Sequence, residues 1–125
     1  MILLDTSVLV EGLGAGGKLR GALRRAIVSG DRMVLSSLVL FEWLRGPRLQ
    51  SELEAQEALF PTDKALPFGP SEAKLAAQLY RSVQRPRGRE IDLAIAATAI
   101  TWEATLWTLN EKDFMDVPGL EVRGS

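Results

Sequence analysis

Met1-Ile2-Leu3-Leu4-Asp5-Thr6-Ser7 opens the chain with four unbroken apolar residues, then an acid and two hydroxyls. A strand with no polar alternation is buried on both faces, as in the centre of a parallel sheet. The residues that end the run are all good helix caps, so a turn or helix is predicted to begin there. A buried strand that delivers a carboxylate at its carboxyl end is the feature from which the rest is read.

Outward from this stretch, Gly12, Gly14, Gly16 and Gly17 mark a loop. Their spacing follows no phosphate-binding pattern, and no Gly-Lys-Ser or Gly-Lys-Thr follows. Leu19, Ala22, Leu23, Ala26 and Ile27 recur at helical spacing, and Gly30 ends that helix. Residues 33–35 read as a second buried strand. Ser36 and Ser37 are caps for a helix over 38–45, stopped by Gly46-Pro47. Further helices are predicted over 50–59, from Ser71 with Leu75, Leu79 and Val83 stacked at four-residue steps, and over the Ala-rich stretch 91–103. Short strands are predicted at 65–68, 105–109 and 120–123, with a turn over 110–115. Strands that alternate with helices predict an α/β fold with a mostly parallel sheet. The 125 residues fit one domain, 1–125. Ligands in such sheets bind beyond the carboxyl ends of the strands.

The composition narrows the chemistry. There are no cysteines and no histidines. A disulfide framework, a thiolate or ordinary zinc site, a cysteine nucleophile and Ser-His-Asp hydrolysis are therefore excluded. Titratable chemistry falls to Asp, Glu, Lys or Tyr. The absence of cysteine, of a signal-like start and of a membrane-length apolar run fits a cytoplasmic protein. The net charge is −1. With Asp5, Glu42, Asp92 and Asp113 set aside as metal ligands the remainder is net positive, compatible with a phosphate-bearing substrate.

Those four acids share a pattern. Asp5 and Asp113, with Asn110, follow buried strands. Glu42 is the only charge in Leu38-Val39-Leu40-Phe41-Glu42-Trp43-Leu44, and Asp92 starts the Ala-rich helix. Each has an ordinary explanation: Asp5, Asp92 and Asp113 as caps, Glu42 as partner of Arg45. If these ends meet, however, the carboxylates share one pocket and cannot all stay ionised without a cation. An oxygen-only cluster selects a hard ion, Mg²⁺ or Mn²⁺. Such an ion activates a water and stabilises a leaving oxygen, which suits phosphodiester hydrolysis.

The opening Met1-Ile2-Leu3-Leu4-Asp5-Thr6-Ser7-Val8-Leu9-Val10 resembles that of PIN-domain proteins, particularly the VapC toxins of VapBC toxin–antitoxin pairs. Residues 36–42, 90–99 and 106–114 resemble the family's second, third and fourth motifs, in order and across nearly the whole chain. The resemblance implies a three-layer α/β/α sandwich and Mg²⁺- or Mn²⁺-dependent endoribonuclease activity. Asp5, Glu42 and Asp92 fall on the family's acidic positions. The fourth position is open between Asn110, where many relatives carry Asp, and Asp113. Thr6 matches a family hydroxyl, expected to orient Asp5 or contact a water on the metal, and Thr108 is expected to do similar supporting work. The resemblance also implies an RNA substrate, a homodimer and a cognate VapB-type antitoxin whose C-terminal segment lies in an apolar groove.

Candidates for that groove are the helices around Trp43, Leu44, Leu49, Leu53 and Leu59; candidates for the dimer face are Leu75, Leu79 and Tyr80. Both stripes also suit ordinary core, the better-supported reading of the two. Arg45, Arg48, Arg85, Arg87 and Arg89 lie near the second and third motifs and are candidates for RNA phosphates. Trp102 and Trp107 sit in apolar contexts that favour core over base stacking. A receiver-type signalling domain or a haloacid-dehalogenase-type phosphatase would need further acids beside the first strand, where this chain has Asp5 alone. The alternative with more weight is a catalytically weak PIN domain acting mainly as a regulatory partner in a DNA-bound antitoxin complex, for which Asn110 leaves room.

Overall fold

The computed structural model describes residues 1–124. The opening apolar run forms β1 (Ile2–Leu4), with Leu3 and Leu4 fully buried. After it come α1 (Thr6–Leu13), α2 (Arg20–Val28), β2 (Met33–Val34), α3 (Ser37–Arg45) and α4 (Gln50–Leu59). Then follow α5 (Pro70–Ser82), α6 (Glu90–Thr101), β3 (Thr105–Trp107) and β4 (Glu121–Arg123), with 3₁₀ turns at Thr62–Lys64 and Glu111–Asp113. The sheet order is β2-β1-β3-β4, and every pair is parallel. Leu3 pairs with Val34 on one side and Leu106 on the other, so β1 is central, as its unbroken apolar run predicts.

The chain leaves β1 towards β2, returns past β1 to β3, and then moves on to β4. Right-handed crossovers that run in opposite directions lie on opposite faces, giving the three-layer α/β/α arrangement. The reversal falls between β1 and β3, so the crevice beyond their carboxyl ends is the topological switch point.

Local signals explain the helix boundaries. Ser36 caps α3, its Oγ accepting the N–H of Val39 at 3.1 Å. Gly30, at φ +83°, takes the left-handed turn after α2 that a side chain would resist. α6 is buried without interruption from Leu93 to Ala99, and α5 and α3 pack against it. That all-round burial follows from its composition, which has no polar face. The strand predicted at 65–68 is reduced to a single parallel bridge, Ser36 with Leu66. Leu66 makes both bonds of that bridge, to Leu35 and Ser37, and the partner segment then turns into α3 at Ser37, so the ladder goes no further. The strand predicted over 105–109 stops at Trp107: the N–H of Thr108 still donates to the carbonyl of Arg123 at 3.0 Å, but those of Leu109 and Asn110 are diverted to side chains of the crevice. Trp107 is core, whereas Trp102, expected in the core, closes α6 with 43% of its surface exposed. Among the described residues, no helix is long and apolar enough to cross a membrane.

Candidate active site

Asp5 leaves β1 at the switch point and is buried, 5% exposed. It occupies the N-cap position of α1, yet its side chain makes no cap bond. Its carboxylate instead accepts the hydroxyl of Thr108 at 2.7 Å, just past β3, and that of Ser7 at 3.1 Å. Both hydrogen bonds end on Oδ2. The backbone holds the same register: the N–H of Asp5 donates to the carbonyl of Trp107 at 2.9 Å.

Glu42 reaches the crevice from α3. Its Oε1 accepts the hydroxyl of Thr6 at 2.6 Å. Arg45 lies 3.6 Å from the other oxygen, and its side chain is 55% exposed, so water weakens that pair. Thr6, expected to orient Asp5 or contact a water, is thus bonded to Glu42. The hydroxyls that hold Asp5 belong to Ser7 and Thr108.

Asp92 is the third residue of α6, in its first turn. Its carboxyl is pushed up to about 6, first by burial and then by the charges of Asp5, Asp113 and Glu42, with Arg89 opposing. Three acids from three other segments therefore act on Asp92 at the carboxyl ends of β1 and β3. They stand further apart than one coordination shell: among the described residues, no three acidic side chains are close enough to enclose an ion. Both observations are compatible, since charge acts over longer distances than coordination. A site with unneutralised carboxylates and only oxygen donors has the chemistry of a hard divalent cation site, and the donor set fits one.

Asn110 and Asp113 bound the 3₁₀ turn after β3, and both are exposed. Asn110 binds the crevice through its main chain, its N–H donating to Thr108 Oγ1 at 3.0 Å. Asp113 is the one whose charge reaches Asp92. Asn110 carries no charge and stands exposed at the rim.

The arginines separate into two groups. Arg89 grips Asp116 with two hydrogen bonds, 2.7 and 3.0 Å, and donates to the carbonyl of Asp113 at 2.9 Å. It staples the loop before α6 to the turn after β3. The same bond holds the Asp116 carboxyl below the usual range. Arg48 lies over the ring of Trp43, 4.1 Å from its centre. Arg85 and Arg87 are exposed. Arg85, Gln84 and Lys112 line a polar notch of about 470 Å³ with Arg89, Asp113 and Asp116. Ser7, Lys112 and Asp116 were not singled out from sequence. Ser7 was legible only as a cap type, and the other two depend on the turn after β3 meeting the loop before α6.

Apolar hollows lie elsewhere, two of them near residues expected to form the groove and the dimer face. One, of about 440 Å³, is lined by Leu13, Leu23, Ile27, Val28 and Leu59, with Arg20 and Arg24 also on its wall. Of the residues expected to form a groove, only Leu59 lies here; Trp43 is fully buried in the core. The other, between α5 and α6, includes Phe68, Tyr80 and Ile91, whereas Leu79 belongs to the core.

Residues 2–120 match the family model described as PIN domain. The chain is 36% identical to Ribonuclease VapC19 of Mycobacterium tuberculosis over 124 residues, which cover 97% of this chain and 98% of the relative. It is 33% identical to Ribonuclease VapC of Rickettsia bellii, covering 97% of this chain and 93% of that protein. The fold is similar to that of a chain in the crystal structure of VapBC2 from Rickettsia felis bound to a DNA fragment from its promoter. There the TM-score is 0.77 and the identity 21%, over 100% of this chain and 99% of the other.

Proposed function

The chain belongs to the PIN-domain family, and from that premise we propose that it is a divalent-metal-dependent endoribonuclease, the toxin of a VapBC-type pair. The observation that carries this reading is the convergence of Asp5, Glu42 and Asp113 on the Asp92 carboxyl at the sheet's switch point. The relatives' name, ribonuclease, supports the reaction class.

Asp5, Asp92, Glu42 and Asp113 would hold the cation, in part through the waters that a small hard ion keeps. When bound, it would supply Lewis-acid stabilisation of phosphate charge and a water acidic enough to attack at neutral pH. The chain's own residues set the rest. Thr108 and Ser7 orient Asp5, and Thr6 orients Glu42. Arg85 and Lys112 offer cations to the RNA backbone in the notch beside Asp113, with Arg89 shaping its wall. Burial raises the pKa of Asp92 towards neutrality, which makes its charge sensitive to what occupies the crevice.

Solved structures of similar fold are of VapBC complexes, which supports a VapB-type antitoxin as partner. The hollow lined by Leu13, Leu23 and Leu59 suits the apolar face of a partner helix, and Arg20 and Arg24 would favour acids along it. A homodimer through the face that includes Phe68 and Tyr80 completes the proposal.

The test is incubation of the antitoxin-free protein with mixed cellular RNA in Mg²⁺, in Mn²⁺ and in EDTA, beside Asp5→Ala and Asp92→Ala. Cutting at a few discrete sites is expected, abolished by EDTA and by either substitution. The uncharged Asn110 at the rim favours one competing outcome. Intact RNA in every lane, while the wild type measurably binds Mn²⁺, would replace the nuclease with a regulatory partner in a DNA-bound complex.

A further inference from the structure

Ser7 and Thr108 have matching surroundings. The N–H of Leu109 donates to Ser7 Oγ at 3.1 Å, and Ser7 donates to Asp5 Oδ2 at 3.1 Å. The N–H of Asn110 donates to Thr108 Oγ1 at 3.0 Å, and Thr108 donates to the same Oδ2 at 2.7 Å. Each hydroxyl has one proton, and both protons go to Asp5. The 3.4 Å approach between the two hydroxyl oxygens is then a contact without a proton to share. Two adjacent main-chain N–H groups are thus relayed through two hydroxyls onto one carboxylate oxygen. A carboxylate oxygen has two lone pairs, and both are taken. Among the described residues, nothing donates to the other oxygen, Oδ1.

We propose that Ser7 is a positioning residue that, paired with Thr108, removes Oδ2 of Asp5 from coordination and presents Oδ1 alone to the divalent cation. The proposal rests on the metal-site reading above and adds a ligation mode to it. A carboxylate free to turn can take an ion with either oxygen or both. One whose Oδ2 is fixed by two relays is a single-oxygen ligand with a set direction, the arrangement that suits an ion demanding strict octahedral geometry. Within each relay the two bonds strengthen one another, since a hydroxyl that accepts from an N–H is a better donor. They also explain the end of β3. The N–H groups of Leu109 and Asn110 leave the ladder because the crevice uses them.

Mn²⁺ affinity tests this without depending on turnover. Free Mn²⁺ would be titrated by electron paramagnetic resonance against wild type, Ser7→Ala, Thr108→Ser, Thr108→Val and Asp5→Ala, with a thermal melt for each. Ser7→Ala and Thr108→Val are expected to weaken binding by about tenfold, the lower end for loss of a group that orients a ligand. Thr108→Ser keeps the hydroxyl and is expected to match wild type. In the RNA assay Ser7→Ala should lower kcat and leave KM unchanged. If Asp5→Ala binds Mn²⁺ as well as wild type, the metal-site reading itself falls. If Asp5→Ala is weak but folded Ser7→Ala binds like wild type, the metal site stands and the positioning role is overturned. Should Ser7→Ala not fold, amide hydrogen exchange in the wild type decides. Slow exchange at Leu109 and Asn110 is expected; exchange at Leu109 as fast as in an open loop overturns the relay.

Discussion

Asp92 shows at the residue scale how the crevice trades stability for charge. Its carboxyl stands at about 6, against 3.8 for an ordinary aspartate, chiefly because burial disfavours the charged form. The folded protein therefore holds this proton more tightly than the unfolded chain. In the metal-free protein the stability it contributes is fully present below about pH 4 and is lost as pH rises through about 6. Asp92→Asn removes the buried charge and keeps the shape. At about pH 7 the metal-free variant should melt above wild type by roughly 3–5 °C, for a gain of about 1 kcal/mol after solvent screening. Near pH 3 the two should coincide. Mn²⁺ should close or reverse the gap at neutral pH, because it stabilises the form that binds it better. Identical melts at both pH values would mean that the Asp92 charge is not strained.

At the scale of an element, α3 carries Glu42 and is anchored by one hydroxyl. Ser36 is buried, and its Oγ accepts the N–H of Val39. Ser36→Ala leaves that N–H without a partner at a buried helix start, and should cost about 1–2 kcal/mol in a denaturant midpoint. Glu42 lies on the same helix, so nuclease activity should fall with it even where the protein remains folded. Unchanged stability would show that another acceptor replaces the cap. The Ser36-Ser37 pair was readable as a cap in the sequence, because cap chemistry is local. The shortening of β3 was not readable, because it depends on Ser7, one hundred and two positions away.

Across the whole molecule, the sum of charges conceals their separation. The net charge is −1, yet the acids converge in the crevice while Arg85 and Lys112 line a notch beside it. A polyanion held in that notch should lose affinity with salt. In an Asp5→Ala background, which binds without cutting, Arg85→Ala and Lys112→Ala should each weaken RNA binding about equally for all sequences. Each should also reduce the salt slope by about one. A change in cleavage sequence with no change in slope would make these residues base readers instead.

By itself the sequence determined the layer architecture, the central place of β1 and most helix limits, and it offered Asp5, Glu42, Asp92 and Asp113 as candidates. Those features rest on periodicity, cap chemistry and motif order, all of which are short-range properties of the chain. The strand order β2-β1-β3-β4 brought Asp5 beside Thr108, and only that neighbourhood decided the rest. It gave Asp5 to Ser7 and Thr108, gave Thr6 to Glu42, and spent Arg89 on Asp116. The physical reason is the same in each case. A hydrogen bond is settled by which groups packing places about 3 Å apart, and apart from the short-range bond of Ser7 to Asp5 the partners here come from segments far apart along the chain.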